Sequence, residues 1–271
     1  AIRQLKDHTM PPAGLPQPTI AEHERMVLWI GEALSKDESA PKDPGRVVLH
    51  RLNREEYNNT VRDLFGISVR PADKFPSDGG GGGGFDNNAD TLYIPPVLLE
   101  RYLVAADEVI AATKPEKLFF AKSDAKTPAR AVAKKLLGFH VSRAWRRPVA
   151  DAEMVRLLGI YDAQITSKAG HEAAVKMALK YALVSPNFLF RIEKETVAPG
   201  AQALDDYALA NRLSYFLWSS MPDETLFTLA RTQRLRDPLV LEQQVQRMLK
   251  SPKASALSES FVGQWLRTRE L

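Results

Sequence analysis

The sequence predicts an all-α protein, built from several consecutive helical-bundle units with one long glycine-rich irregular loop. Apolar residues recur at the spacing of an α-helix along most of the chain, and no segment shows the convincing period of two that marks a β-strand. Proline or a capping residue stands at the start of most of these periodic segments. With 271 residues, of which 44% are hydrophobic, the chain is long enough to bury substantial cores.

The first helix is predicted to begin after Thr19, because Thr19 and Glu22 have the spacing of a capping box. In this motif each side chain accepts a hydrogen bond from the backbone N–H of the other residue. The helix then places four apolar residues on one face: Met26, Val27, Ile30 and Leu34. Residues 35–46 have no apolar period and predict a linker, after which a new unit begins.

A second helix is predicted from Asn53 to Phe65. Asn53 can cap its start, and apolar residues follow at helical spacing: Tyr57, Val61, Leu64 and Phe65. Gly66 suits the position after the last turn, where the backbone often becomes left-handed.

A long irregular stretch between residues 69 and 94 contains six consecutive glycines at 79–84. A phosphate-binding loop is rejected, because no Lys-Ser/Thr pair follows the glycines and acidic residues flank them. Three residues beyond the run alternate as oxygen ligands do in a calcium loop: Asp86, Asn88 and Asp90. Asn and Asp side chains that bond to their own backbone in turns explain this segment at least as well. This segment therefore has two interpretations: it binds calcium as a cofactor, or it forms a purely structural turn.

Proline and aspartate mark the starts of most of the remaining predicted helices. Asp151 and Asp205 are predicted to cap helices, and Pro222 is predicted to lie in a first turn. Further helices are predicted to start at Pro96, Pro128, Asp237-Pro238 and Pro252. A further helix is predicted at 170–184, ending before a Ser-Pro pair. The helices group into three predicted helical domains, at 46–117, 125–195 and 203–271. The last domain is expected to continue beyond the end of the chain.

Opposite charges are balanced and interleaved along the chain. There are 37 basic and 33 acidic residues, which gives a net charge of +4. A nucleic-acid-binding protein usually concentrates its Lys and Arg on one stripe, so nucleic acid is not expected as a partner. No apolar run approaches the length needed to cross a bilayer, which predicts no transmembrane segment. The absence of cysteine excludes disulfides and cysteine-based metal sites.

One short segment combines an aromatic ring with guanidinium groups: Arg143, Trp145, Arg146 and Arg147. Such groups can bind an acidic polymer or a haem propionate through bidentate hydrogen bonds. The alternative is a helix C-terminus, where the helix dipole favours cations. This segment and the region of Trp218 are the candidate binding surfaces, together with residues 85–87.

Met10, Pro11 and Pro12 form a motif shortly before the first predicted helix. A methionine on a proline-stiffened loop, followed by a capped helix, is how a c-type cytochrome presents an axial sulfur ligand to its haem iron. The attachment cysteines of a haem c would lie outside the given chain. Residues 1–38 are therefore predicted to be the C-terminal part of a cytochrome-c-like domain, with Met10 as the iron ligand. The alternative is a methionine that fills a gap in a core.

Several segments follow one another in a recognisable order. They include HRLNREEYNNTVRDL at 50–64, RAWRRPV at 143–149 and the stretches 183–191, 204–223 and 261–266. Together they resemble planctomycete-type cytochrome-associated multidomain proteins, in which consecutive domains of unknown function follow a c-type cytochrome domain.

The resemblance implies a secreted or periplasmic haem c protein that passes electrons. Its partners would be a redox protein or other segments of the same polypeptide. The expected function is an electron-transfer or oxidoreductase role with unknown substrate, which includes a possible haem-dependent oxidoreductase. The alternative is a non-catalytic binding or assembly module of the cell envelope, with a polysaccharide or a protein as its partner.

Overall fold

The computed structural model describes residues 5, 12, 14–39, 49–78, 85–89, 91–124, 126–193, 203–266 and 268, with 34–39 described by their backbone only. These residues are mainly helical, which confirms the predicted all-α class. The chain divides into two units, Ala1–Arg46 with Thr196–Ala203 and Val47–Glu195 with Leu204–Leu271. No helix within the described residues has both the length and the apolar character needed to cross a membrane.

The first unit contains helix α1, Ile20–Ser39. Its start is the predicted capping box. The Thr19 N–H donates to the Glu22 carboxylate at 2.9 Å, and the Glu22 N–H donates to the Thr19 hydroxyl at 3.3 Å. On the predicted apolar face, Met26 is exposed, whereas Val27 and Ile30 are partly buried.

The second unit is an array of helices of unequal length. In chain order these are α2 (Arg54–Phe65), α3 (Pro96–Ala112), α4 (Pro115–Leu118), α5 (Ala129–Ala144), α6 (Asp151–Thr166), α7 (His171–Val184), α8 (Pro186–Leu189), α9 (Asp206–Trp218), α10 (Glu224–Arg231), α11 (Pro238–Leu249) and α12 (Gly263–Trp265). Two 3-10 turns occupy Pro71–Lys74 and Pro252–Ala254, and Leu257–Val262 is π-helical. Strands β1 (His50–Arg51) and β2 (Phe190–Arg191) pair antiparallel.

Helix α2 follows the sequence prediction at both ends. The Asn53 side chain accepts a hydrogen bond from the Glu56 N–H at 2.8 Å, and the Glu56 carboxylate accepts one from the Asn53 N–H at 3.0 Å. Gly66 ends the helix in the left-handed region, with φ 63° and ψ 41°. Only glycine adopts this conformation without a steric cost, so the chain turns here because of its sequence.

Three local predictions are wrong in detail. Asp151 is the first residue of α6 and not its cap, because Ala150 holds the cap position and its N–H donates to the Glu153 carboxylate at 2.9 Å. Pro222 lies before α10 and outside its first turn, since Asp223 caps that helix. The strands β1 and β2 were not predicted, because two residues are too few to show a period.

One hydrophobic core extends through most of the second unit. Its side chains come from α2, α3, α5, α6, α7 and α8, so the segments 46–117 and 125–195 contribute to the same cluster. A second, smaller core joins α9, α10 and α11 around Trp218 and Leu226. Tyr215 of α9 belongs to the first core, and helix α9 therefore borders both.

Candidate functional site

A cavity of about 600 Å³ lies beside helix α9 in the second unit. Its walls come from four parts of the chain: β1 with the start of α2, Asn87 in the irregular stretch, β2 with the residues after it, and the helices α9 and α11. Small-molecule sites in proteins commonly measure roughly 300–1,000 Å³ and combine apolar walls with a few placed polar groups. The cavity has both properties and is the candidate functional site.

The pairing of β1 with β2 brings His50 and Arg191 together at this cavity. His50 faces Arg191 in the antiparallel register, and Arg51 faces Phe190. Residues directly opposed in such a pair have Cβ atoms about 4.5–5.5 Å apart. The short ladder therefore places a histidine from the beginning of the unit next to an arginine from a much later segment.

His50 is largely buried and remains uncharged at neutral pH. Burial lowers its pKa from 6.5 to about 3, with the positive charges of Arg191 and Arg51 acting in the same direction. The His50 Nε2 atom lies 3.9 Å from the Glu56 carboxylate, which is beyond hydrogen-bond distance, and it has no hydrogen-bond partner within the described residues. A neutral imidazole nitrogen can serve as a donor or an acceptor, depending on the tautomer.

Glu56 supplies a buried carboxylate to the same wall. Its side chain closes the capping box of α2, where the N-terminal end of the helix dipole stabilises a negative charge. The Glu56 Oε1 atom lies 3.9 Å from the nearest terminal nitrogen of Arg191. The two charges compensate each other across this distance.

Arg191 lies over the ring of Tyr215, with its guanidinium carbon 5.2 Å from the ring centroid. The Tyr215 hydroxyl is 2.9 Å from the Thr60 hydroxyl and accepts a hydrogen bond from Arg146 at 3.3 Å. These bonds hold the ring, and the cation–π contact holds the guanidinium against it. The Nε–H group of Arg191 has no acceptor within the part of the chain that the structure describes.

Helix α9 contributes Asn211 and much of an apolar wall. The side-chain oxygen of Asn211 is buried and has no donor among the described residues. The apolar lining residues include Leu209, Leu213, Phe216, Leu241 and Val245. Two further lining residues, Glu193 and Arg212, form a bidentate ion pair with both hydrogen bonds at 2.7 Å.

Unpartnered polar atoms are concentrated at this cavity. Six buried side-chain nitrogen or oxygen atoms of the described residues lack a hydrogen-bond partner, and three of them belong to lining residues: His50 Nε2, Arg191 Nε and Asn211 Oδ1. A buried polar atom left unpaired costs about 1–3 kcal/mol. Three of these atoms thus belong to side chains that line one cavity, and a polar ligand there can complete their hydrogen bonds once the side chains turn towards it.

Arg146, predicted as a binding residue, lies in the core with 1% exposure. Its Nη2 atom donates to three backbone carbonyls at 2.7–3.0 Å, those of Asn187, Phe188 and Phe190. Arg146 therefore ties the end of α5 to α8 and β2. Both terminal nitrogens of its guanidinium are occupied by contacts within the fold, whereas its Nε has no partner among the described residues.

The two neighbouring arginines are also paired within the fold. Arg147 forms a bidentate ion pair with Glu153 at 2.8 and 2.9 Å. Arg143 pairs with Glu224 and lies 3.7 Å above the ring centroid of Phe139. None of these arginines lines the cavity.

Trp218, the fourth predicted binding residue, is 2% exposed and belongs to the smaller core. Its indole N–H donates to the Met248 carbonyl at 3.0 Å. Lys253 lies over the ring at 5.1 Å and Arg247 at 5.6 Å. The structure thus places Trp218 among internal contacts, away from the cavity.

The predicted haem ligand Met10 and its neighbour Pro11 lie outside the described residues. Pro12 is exposed, and its carbonyl accepts a hydrogen bond from the Leu15 N–H at 3.2 Å.

Of the calcium candidates, Asp90 lies outside the described residues. The Asp86 carboxylate accepts a hydrogen bond from the Asn53 amide at 3.0 Å, and the Asn88 carbonyl accepts one from the Thr91 hydroxyl at 2.9 Å. No cluster of three His, Cys, Asp or Glu side chains suited to a metal ion occurs within the described residues. Calcium at this segment stays a prediction.

His50, Arg191 and Asn211 were not predicted as site residues from the sequence. The histidines show no metal-ligand spacing, so His50 carries no recognisable local motif. The sequence contained one indication of two of these residues. His50 is the first residue of the recognisable segment 50–64, and Arg191 is the last residue of the segment 183–191.

Fold and site define an all-α protein with a cavity of mixed polar and apolar lining, formed by residues from all three predicted helical domains. Three family models match the chain: PSD3, protein of unknown function (DUF1587), at residues 50–113; PSD5, protein of unknown function (DUF1595), at 132–193; and PSD4, protein of unknown function (DUF1592), at 204–271. The chain thus carries three consecutive domains of unknown function, an arrangement known from planctomycete-type multidomain proteins. No curated protein and no solved structure matches it.

Each matched domain contributes one of the unpartnered atoms at the cavity. His50 belongs to the first matched segment, Arg191 to the second and Asn211 to the third. The cavity therefore depends on the association of all three segments.

Proposed function

We propose that the second unit is a binding module, which holds an uncharged polar group of its ligand in the cavity beside α9. The observation that carries this proposal is the convergence of three unpartnered polar atoms, on His50, Arg191 and Asn211, at one cavity. A ligand that completes their hydrogen bonds recovers part of the cost of burying them unpaired.

The charges around the cavity support an uncharged ligand. Arg191 is compensated by Glu56, and Arg212 is compensated by Glu193. A charged ligand group would find no free countercharge among the described lining residues, and an uncompensated charge is expensive to remove from water. An uncharged polar group avoids this cost.

The polar groups of the cavity favour binding over proton transfer. A histidine with a pKa of about 3 is a weak base at neutral pH, where an efficient general base has a pKa near the working pH. The Tyr215 hydroxyl already contacts Thr60 and Arg146. These features support a module that recognises its ligand.

The proposal is tested by NMR on the isotope-labelled chain, with D-glucose and nicotinamide as neutral probes and acetate and methylammonium as charged probes. At least one neutral probe is expected to shift both the ring signals of His50 and the side-chain amide signals of Asn211. The proposal is overturned when no neutral probe moves these signals, or when a charged probe moves them more.

Two substitutions of aromatic residues test whether the neutral probe binds in the cavity. Phe216→Ala removes a lining ring that is 61% exposed, and Phe120→Ala removes a ring of 43% exposure that does not line the cavity. The shifts caused by the neutral probe are expected to weaken in Phe216→Ala and to persist in Phe120→Ala.

A role in electron transfer, as part of a periplasmic c-type haem protein, stays a second proposal. It is supported by the Met10-Pro11-Pro12 motif and by the three consecutive domains, whose arrangement resembles that of cytochrome-associated proteins. Met10 would be the axial ligand of a haem that serves electron transfer. The test is the reduced absorption spectrum of the full-length protein. Bands of a c-type haem that change in Met10→Ala support the proposal, and a spectrum without such bands overturns it.

A further inference from the structure

The unpartnered atoms at the cavity differ in hydrogen-bonding character. The Arg191 Nε–H can only donate, the Asn211 oxygen can only accept, and the His50 Nε2 atom can do either. A hydroxyl group both donates and accepts, so adjacent hydroxyls on one ligand can satisfy this set. A carboxylate offers acceptors only, and an ammonium group offers donors only.

Much of the remaining lining of the cavity is apolar, beside the ion pair of Glu193 with Arg212. Leu213, Phe216 and Leu241 lie among the lining residues, and the Phe216 ring is 61% exposed. A sugar ring has hydroxyls at its edge and a face of C–H groups, and the C–H face packs well against aromatic and aliphatic side chains. The mixed lining therefore matches the two-sided chemistry of a saccharide.

Three aromatic rings stack on one another where the segment 85–89 contacts the C-terminal part of the second unit. We call Phe85, Phe261 and Trp265 the aromatic ladder. The Phe85 and Phe261 centroids are 5.8 Å apart with planes inclined by 20°, and those of Phe261 and Trp265 are 6.2 Å apart with planes inclined by 24°. Phe261 is 45% exposed and Trp265 is 66% exposed. Exposed rings in such a row offer an apolar surface to a partner.

The aromatic ladder lies next to the cavity along the chain. Asn87 lines the cavity and is the second residue after Phe85, so their Cα atoms are at most about 7 Å apart. The N–H of the intervening Asp86 donates to the Gln264 side chain at 2.7 Å, which attaches this segment to α12. The segment 85–89 therefore carries both a residue of the cavity lining and one ring of the aromatic ladder.

We propose that the ligand is an uncharged oligosaccharide, with one sugar unit in the cavity and the following units on the aromatic ladder. This inference rests on the proposed binding function and specifies its ligand class. The side chains of Asn211, Arg191 and His50 turn from their buried positions towards the first sugar and bond to its hydroxyls. The C–H faces of the next sugars pack on Phe85, Phe261 and Trp265.

The test is isothermal titration of the chain with cellotetraose, xylotetraose, mannotetraose and chitotetraose, each compared with its monosaccharide. At least one tetrasaccharide is expected to bind about tenfold more tightly than its monosaccharide, because the ladder adds contacts that the single sugar lacks.

Three variants separate the two parts of the site. Asn211→Leu is expected to weaken a monosaccharide and its oligosaccharide alike, by about tenfold. Trp265→Ala is expected to remove only the advantage of the longer sugar. Trp29→Ala is the matched control, because Trp29 is 71% exposed on α1 of the other unit, and it is expected to change neither affinity.

The outcomes distinguish this inference from the proposed function. If nicotinamide or uridine binds in an Asn211-dependent manner and no saccharide does, the ligand class is wrong and the binding function stands. If tetrasaccharides gain nothing over monosaccharides, the role of the aromatic ladder is wrong. If no neutral probe binds, both proposals fail.

Discussion

His50 and Arg191 are direct cross-strand partners in a two-stranded sheet with only two residues in each strand. This pair joins the beginning of the first matched domain to the end of the second. The positive charge of Arg191 helps to keep His50 neutral, while the pairing of β1 with β2 holds both residues at the cavity. The polar part of the candidate site therefore depends on a contact between distant segments.

His50→Gln is expected to reduce the loss of stability in acid. The folded-state pKa of His50 is about 3, below the ordinary 6.5, so the unfolded chain binds more protons between these values. The contribution of His50 is fully present above pH 6.5 and is lost as the pH falls towards 3. Glutamine does not titrate and removes this effect.

The measurement is the free energy of unfolding in urea at pH 7 and pH 4. Between these values the wild type is expected to lose about 1–3 kcal/mol more than His50→Gln. Equal losses of unfolding free energy in the two proteins would show that His50 is not held neutral in the folded state.

Arg146→Met is expected to lower the free energy of unfolding by about 3 kcal/mol or more, because it removes a buried donor from the carbonyls of Asn187, Phe188 and Phe190, of which that of Phe188 is buried. Arg146 also has a positive φ of 58°, so its backbone conformation is held by the surrounding contacts. Arg130→Met is the matched control, since Arg130 is 59% exposed and pairs with Asp162 at the surface. Urea titration should show a much smaller change in the control, and equal changes would contradict the role assigned to Arg146.

Gly66→Ala is expected to destabilise the protein by about 1 kcal/mol, because alanine resists the left-handed conformation with φ 63°. A Cβ atom at this position would also meet the Lys117 Nζ at 2.0 Å, although that flexible side chain can move aside. Gly159→Ala, in the middle of α6 with nothing within 4 Å of the added Cβ, should instead stabilise by about 0.5–1 kcal/mol. Thermal unfolding of the two variants tests the opposite signs.

Asn53 has two roles, since its side chain caps α2 and also donates a hydrogen bond to Asp86. Asn53→Asp separates these two roles. Aspartate caps a helix as well as asparagine does, but it cannot donate to the Asp86 carboxylate as the Asn53 amide does at 3.0 Å. It also places two carboxylates close together, which disfavours the folded state. Amide exchange of residues 85–89 is therefore expected to accelerate in Asn53→Asp, while exchange in α2 stays near the wild-type rate.

Asn53→Ala is the comparison, because it removes the cap and the bond to Asp86 together. It is expected to lower the free energy of unfolding by about 1 kcal/mol and to accelerate exchange at the start of α2 as well. Unchanged exchange at 85–89 in both variants would show that the Asn53 contact does not hold this segment.

The sequence by itself determined the class of the fold and most helix ends. Asn53, Gly66, Asp205 and Asp237 stand where the structure begins or ends a helix, because caps act on backbone groups only a few residues away. A cap can therefore be predicted from the few residues around it, without knowledge of the rest of the fold.

The tertiary structure alone decided which side chains meet at the cavity and which are buried. The sequence predicted Arg146 and Trp218 as binding residues, yet the fold surrounds both with internal contacts. His50, Arg191 and Asn211 meet only after three distant segments have packed together. Helical periodicity shows which face of a helix is apolar, but the segment that covers this face is set by contacts between residues far apart in the chain.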